Sequence, residues 1–103
     1  MKELTQEHEI RSAMEEGETV LMFSAGWCPD CTVIEPELPE VETHFSTMNF
    51  YKIDRDLHPD LASELDIMGI PSFVVFRDGT EAGRFVSRDR KTKEEIIRFL
   101  QEV

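Results

Sequence analysis

The sequence predicts an α/β fold in which a mixed β-sheet lies between two layers of helices. Apolar runs suited to buried strands alternate with amphipathic segments, a pattern typical of parallel βαβ crossovers. The last two strand-like segments are joined by Asp78-Gly79, a strong signal for an antiparallel hairpin. A chain of 103 residues is long enough for one hydrophobic core, so we expect a single domain over residues 1–103.

The first third of the chain predicts a strand, a helix and a second strand. Residues 1–4 are expected to form a short strand, and Thr5 is expected to cap a helix that runs to about Glu16, with Gly17 as its stop. The continuous apolar run over residues 19–24 predicts a central strand that is covered on both faces.

The middle of the chain predicts a helix interrupted by proline and a further strand. The helix should open at Cys28 or Pro29, and Pro36 and Pro39 in its interior must kink or split it. Residues 48–54 then predict a strand.

The last part of the chain predicts a short helix, the hairpin and a closing helix. Pro59 suits the first position of the short helix. The hairpin strands are expected at residues 71–77 and 82–87. Thr92 and Glu95 have the spacing of a capping box, which predicts a helix directly after it.

The charge of the chain limits its partners and location. Eleven basic and 22 acidic residues give a net charge of -11, so binding to nucleic acid or to an anionic membrane would be repulsive. The first ten residues lack the apolar region of a signal peptide, and no apolar run approaches the ~20 residues that span a bilayer. We therefore expect a cytoplasmic protein that acts as a monomer.

The only two cysteines, Cys28 and Cys31, are separated by two residues. A zinc site would need two further ligands, but His44 and His58 are too far apart in sequence to supply them. Two chains would have to share their cysteine pairs to hold zinc or an iron–sulfur cluster. A structural disulfide is also disfavoured, because cysteines in a reducing compartment are more often catalytic or metal-binding. With the metal ligands missing, a redox role is the stronger interpretation.

The predicted position of the pair, after a central strand and at the start of a helix, supports redox chemistry. The two sulfurs should be close enough to form a disulfide. The sulfur of Cys28 is expected to face solvent near unpaired backbone N–H groups that stabilise a thiolate. Cys28 is then the nucleophile, and Cys31 is the resolving thiol that attacks the mixed disulfide.

With these motifs in place, the sequence resembles the thioredoxin family over essentially its whole length. The matching residues are Ala25, Trp27-Cys28-x-x-Cys31, Pro36, Ile53-Asp54 and the segment GIPSFVVFRDG (69–79). The resemblance implies a thioredoxin-like three-layer α/β/α sandwich and a cis Ile70-Pro71 peptide bond. It implies a reductase of protein disulfides that needs no cofactor or metal and is recharged by thioredoxin reductase or a low-molecular-weight thiol.

The resemblance also implies a substrate-binding rim around the cysteines. Its expected members are Trp27, Pro29, Ile70, Pro71, Val86 and Ser87. Ser87 lies about where the family tends to have a glycine, which predicts reduced access for the substrate backbone.

The chain departs from the family at a buried ion pair. The position of the family's buried aspartate is Met22, and that of its lysine partner is Phe50. An apolar replacement of both partners together is physically reasonable, because a single buried charge would be costly. We hypothesise that Glu35 or Asp30 serves instead as the proton relay. The alternative for Glu35, which we favour, is a solvated surface carboxylate.

The segment RFVSRDRKTK (84–93) holds five of the eleven basic residues and has two interpretations. It could steer acidic partners to the cysteines through Arg88 and Arg90. It could also be an exposed loop and strand edge whose charges resist aggregation, and we favour this second interpretation.

Two functions follow from the sequence. The favoured one is a thiol–disulfide oxidoreductase, and the alternative is a non-catalytic redox-sensing or partner-binding module with the same fold.

Overall fold

The computed structural model describes residues 1–103. Five strands form the sheet: β1 (Lys2–Glu3), β2 (Glu18–Ser24), β3 (Asn49–Asp54), β4 (Ser72–Arg77) and β5 (Thr80–Phe85). The five α-helices are α1 (Glu7–Met14), α2 (Pro29–Ile34), α3 (Leu38–His44), α4 (Pro59–Glu64) and α5 (Lys93–Glu102), and one 3-10 helix (Glu35–Glu37) separates α2 from α3. None of the helices combines the length and apolar character needed to span a bilayer.

The strand order is β1-β3-β2-β4-β5, and the sheet is mixed. Strand β3 pairs in parallel with β1 and β2, whereas β4 pairs antiparallel with β2 and β5. The predicted α/β/α fold is therefore confirmed. Strand β2 lies between two neighbours and is buried along nearly its whole length, as the apolar run predicted.

The core is divided by the sheet into two apolar clusters. Because side chains alternate along a strand, Leu21 of β2 lies in one cluster with residues of α1 and α4, and Met22 lies in the other with residues of α3 and α5. Both cysteines belong to the first cluster. Met22 and Phe50 are buried together in the second, at the two positions where the resemblance implies an ion pair.

The prolines divide the predicted long helix into three pieces, as expected. Pro36 lies in the 3-10 helix and Pro39 in the first turn of α3. A proline ring cannot donate the N–H of an interior helical residue, and it is tolerated where a helix begins. The break ends α2 at Ile34, just beyond the cysteines.

The structure corrects the bounds of α1. Thr5 is not its cap, because Gln6 occupies that position and its carbonyl accepts the N–H groups of Glu9 and Ile10. The helix ends at Met14 rather than Glu16, and Gly17 follows in a left-handed conformation with a φ of 54°.

The hairpin forms at Asp78-Gly79, with φ values of 51° and 89° that suit a tight two-residue loop. Thr80 pairs with Arg77, so β5 begins two residues earlier than predicted. It ends at Phe85, which leaves Val86 and Ser87 in the loop that leads to α5. The capping box of α5 is confirmed by two hydrogen bonds, from Glu95 N to Thr92 Oγ1 (3.1 Å) and from Thr92 N to Glu95 Oε1 (2.9 Å).

Candidate active site

The two cysteines lie where β2 gives way to α2. Cys28 is the N-cap of α2, and its sulfur accepts a hydrogen bond from the backbone N–H of Cys31 at 3.2 Å. Pro29 follows in the first turn, where no N–H is required. The structure thus provides the backbone donor that the sequence predicted for the Cys28 sulfur. A donor at this position stabilises a thiolate, the reactive form of cysteine.

The two thiols are free and adjacent, with 2.6 Å between their sulfur atoms. The predicted closeness of the sulfurs is confirmed. The prediction that Cys28 faces solvent is wrong, because most of its surface is covered and only 4% is exposed. Cys31 is 2% exposed. Packing against the apolar cluster on one face of the sheet covers both residues.

Cys28 remains accessible through an open cavity of about 390 Å³, which we call the substrate groove. Its lining residues are Trp27, Cys28, Pro29, Asp30, Arg55, Met68, Gly69, Ile70 and Arg88. The expected rim residues Trp27, Pro29 and Ile70 line this groove, with Trp27 64% exposed. Pro71, Val86 and Ser87 are not among its lining residues.

The Ile70-Pro71 peptide bond is cis and lies beside the cysteines, as the resemblance implied. The carbonyl oxygen of Ile70 is 3.9 Å from the Cys28 sulfur, within reach of a weak S–H hydrogen bond. This contact brings the segment that precedes β4 against the reactive thiol.

Cys31 lines a different cavity, of about 190 Å³, which we call the polar pocket. The pocket also contains Glu35 and Lys52, whose Oε1 and Nζ atoms are 2.7 Å apart. Ser24, Thr32 and Asp54 contribute further polar groups to its wall. Polar groups therefore border Cys31 in a cavity distinct from the substrate groove.

The surroundings of Cys31 favour its protonated form. Burial is the main cause that raises the pKa of the Cys31 thiol, followed by its hydrogen bond to Cys28. The negative charge of Glu35 raises it further. The hydrogen bond to Glu35 raises the pKa of Lys52, so this amine stays protonated next to the carboxylate. Cys31 consequently needs a proton acceptor before it can act as a nucleophile.

Comparison with known proteins agrees with this geometry. The family model described as Thioredoxin matches residues 2–102.

The chain belongs to the thioredoxin family.

Its relatives include Thioredoxin AMT13 of Alternaria alternata, which is 38% identical over 72 residues, covering 70% of this chain and 61% of the relative. The thioredoxin of Mycoplasma genitalium is 34% identical over 93 residues, covering 90% and 89%. Among solved structures, the crystal structure of oxidised mitochondrial thioredoxin 3 from Saccharomyces cerevisiae has a TM-score of 0.80 and 28% identity, covering 95% of this chain and 93% of that one. The chain thus spans only about six tenths of the fungal relative's length.

Within this thioredoxin-family site, the two candidate relay residues have different surroundings. Glu35 shares the polar pocket with Cys31. Asp30 instead forms a salt bridge with Arg90, at 3.0 Å between Oδ1 and Nε. Both carboxylates are therefore paired with a cation, but only Glu35 shares a pocket with Cys31, whereas Asp30 lines the substrate groove.

The basic segment 84–93 does not form a continuous positive surface. Arg84, Arg90 and Lys93 pair with Glu81, Asp30 and Glu40 respectively.

Lys91 is 3% exposed, and its Nζ donates to the carbonyl oxygens of Ser87 and Asp89. Burial lowers the pKa of this amine. Lys91 thus holds together the loop that follows β5. Arg88 reaches the substrate groove, where its Nε donates to the Met68 carbonyl oxygen at 3.3 Å.

Sequence reasoning missed three charged residues near the cysteines. Lys52 was overlooked because it is two residues from the position where the family has its lysine. Its place on β3 gave a signal, since alternate residues of a strand share a face and Phe50, two residues away, occupies the position of the family's lysine. Arg55 lies in a loop and Lys91 inside a charged run, so neither had a sequence signal of its own.

Proposed function

We propose that this protein is a thiol–disulfide oxidoreductase that reduces disulfides of other proteins. The observation that carries the proposal is the pair of free thiols 2.6 Å apart at the start of α2, with Cys28 lining an open groove. The thioredoxin-family relatives support the same activity.

The reaction proceeds by two thiol–disulfide exchanges. The Cys28 thiolate attacks one sulfur of the substrate disulfide, forming a mixed disulfide and releasing the other substrate sulfur as a thiolate, which takes up a proton. The deprotonated Cys31 then attacks the Cys28 sulfur. This step closes the Cys28–Cys31 disulfide and releases the second substrate thiol. The substrate gains two electrons, and the protein loses two.

The oxidised protein must be reduced before the next turnover. We propose thioredoxin reductase or a low-molecular-weight thiol as the electron donor, acting on a monomer in the cytoplasm. That compartment keeps thiols reduced, which suits a protein that works as a reductant.

Covalent trapping tests the proposed activity. The reduced protein is mixed with a disulfide-bonded protein substrate, and thiol release is followed over time. We expect Cys28→Ser to abolish release. We expect Cys31→Ser to stop at an equimolar covalent adduct that dithiothreitol cleaves. A Cys31→Ser protein that binds its partner only non-covalently would contradict the proposal and indicate a redox-sensing or partner-binding module.

We further propose that Glu35 is the proton acceptor for Cys31. The polar pocket joins the two residues and has room for several water molecules, each of which occupies about 30 Å³ in the liquid. Lys52 fixes the position of the Glu35 carboxylate through the 2.7 Å contact. Asp30 is less suited to this role, because its side chain lines the substrate groove and is absent from the polar pocket that contains Cys31.

The pH dependence of the second exchange tests the relay. We expect Glu35→Gln to slow the release of the second substrate thiol by roughly 10-fold or more near pH 7, as loss of a general base does. The defect should diminish as rising pH ionises Cys31 without assistance. Glu37→Gln is the matched control, because Glu37 is exposed in the same 3-10 helix and does not line the pocket. Superimposable pH profiles for Glu35→Gln and wild type would exclude the relay.

A further inference from the structure

The residues that line the substrate groove include both apolar and cationic side chains. Trp27 and Met68 are exposed apolar side chains, 64% and 66% exposed respectively. Arg55 and Arg88 also line it, so two guanidinium groups share the cavity with the reactive Cys28. The two arginines come from loops on different sides of β4 and are brought together only by the fold.

Neither arginine is neutralised by a carboxylate of the chain. All ten salt bridges of the structure involve other residues. Arg88 uses its Nε for the Met68 carbonyl, which leaves its two terminal nitrogens available. Arg55 makes no side-chain hydrogen bond within the protein.

The single acidic residue of the groove does not offset this charge. Asp30 is paired with Arg90, which does not itself line the groove. Asp56, which follows Arg55, lies beside the groove and accepts a hydrogen bond from Trp27 Nε1 at 2.7 Å. The lining residues themselves, with two arginines and one aspartate, have a net charge of +1, although the whole chain carries a net charge of -11. In such a chain an unpaired pair of cations marks a place where negative charge is attracted rather than repelled.

We propose that the substrate groove selects disulfides in extended protein segments that carry an acidic residue close to the attacked cysteine. The apolar side chains of Trp27 and Met68 contact the segment, and Arg55 and Arg88 bind the carboxylate of its acidic residue. Guanidinium groups suit this task because their planar donors match the two oxygens of a carboxylate. This inference rests on the proposed function, since it describes the substrate of the same reaction.

Matched disulfide peptides test the selection. Three peptides with the same intramolecular disulfide are flanked by glutamate, glutamine or lysine, and single-turnover reduction by the prereduced protein is followed chromatographically. We expect the glutamate peptide to react roughly 3- to 20-fold faster than the lysine peptide at low ionic strength. The ratio should shrink at about 1 M salt, where charges are screened within about 3 Å.

Charge variants show whether the two arginines cause the selection. We expect Arg55→Gln combined with Arg88→Gln to bring the rates of the glutamate and glutamine peptides close to each other. The double variant Lys2→Gln/Arg98→Gln is the control, because it also removes two positive charges and neither of these exposed residues lines the groove. It should leave the ratio of rates unchanged.

The outcomes separate the inference from the proposed function. Reduction of all three peptides at equal rates would overturn the inference and leave the reductase activity standing. Failure to reduce any of them would contradict the activity itself. The small dianionic disulfide 3,3′-dithiodipropionate is a further substrate. An equal dependence on the two arginines for this compound and the glutamate peptide would overturn the assignment to a protein segment.

Discussion

At the scale of single residues, the two cysteines differ because they line different cavities. Cys28 accepts a backbone N–H and borders the substrate groove, whereas Cys31 is more deeply buried and borders the polar pocket. Their order in the sequence predicts the roles of nucleophile and resolving thiol, which the trapping experiment tests. Their surroundings also depend on Ile70 and Lys52, which are distant from the cysteines along the chain. Glu35 is close in sequence, but no motif marks it.

The raised pKa of Cys31 predicts a pH-dependent stability of the reduced protein. The unfolded chain releases this proton above an ordinary pKa of about 8.5, whereas the folded protein retains it to higher pH. The free energy of unfolding therefore falls as pH rises above about 8.5, by up to about 1.4 kcal/mol per pH unit, until the raised pKa is reached.

Urea unfolding of the reduced protein at about pH 7 and pH 9.5 measures this loss, with Cys31→Ser as the control. The lowered pKa of Lys91 acts in the opposite direction, and because both proteins contain Lys91 it cancels in the comparison. Equal pH slopes for the two proteins would contradict the prediction.

At the scale of elements, short sequence motifs predicted most of the positions where helices and strands begin or end. The capping box at Thr92, the Asp78-Gly79 hairpin and the prolines after α2 were all predicted, because each acts on residues only a few positions away. Thr5 was the failure. Threonine and glutamine can both precede a helix, and the sequence did not show which carbonyl would accept the first helical N–H groups.

This difference between the two threonines gives a direct test. Thr92→Ala removes the hydroxyl that accepts the Glu95 N–H, and should lower the free energy of unfolding by about 1 kcal/mol. Thr5→Ala removes no cap, and its effect should stay within about 0.5 kcal/mol. Thermal unfolding of the two variants at the same pH provides the comparison. A larger loss for Thr5→Ala would mean that α1 is capped differently in solution.

At the scale of the whole molecule, the site is completed by contact between two loops. The backbone of Gly69, next to the cis bond, packs against the backbone of Ser87 and Arg88 so closely that no Cβ fits between them. Lys91 also fixes this loop, because its Nζ donates to the carbonyl oxygens of Ser87 and Asp89. The position of Arg88 in the substrate groove therefore depends on this contact and on the hydrogen bonds of the buried Lys91.

Gly69→Ala tests the loop contact. A Cβ at this position would overlap the carbonyl group of Ser87, and we expect a loss of about 1–3 kcal/mol in the free energy of unfolding. Gly26→Ala is the matched control beside the cysteines, because a Cβ there would have nothing within 4 Å. Chemical denaturation should separate the two variants clearly. Equal stabilities would show that the loop after β5 can move away from Gly69 without cost.

The sequence by itself determined the order of elements, the central position of β2 and the chemistry of the cysteine pair. These follow from apolar periodicity, turn residues and spacing, which act over short stretches of chain. Only the tertiary structure decided that Cys28 is mostly covered, that Asp30 pairs with Arg90, and that Arg55 and Arg88 share the substrate groove. Burial and ion pairing depend on distances in space, and residues far apart in sequence acquire such distances only when the strands assemble into a sheet.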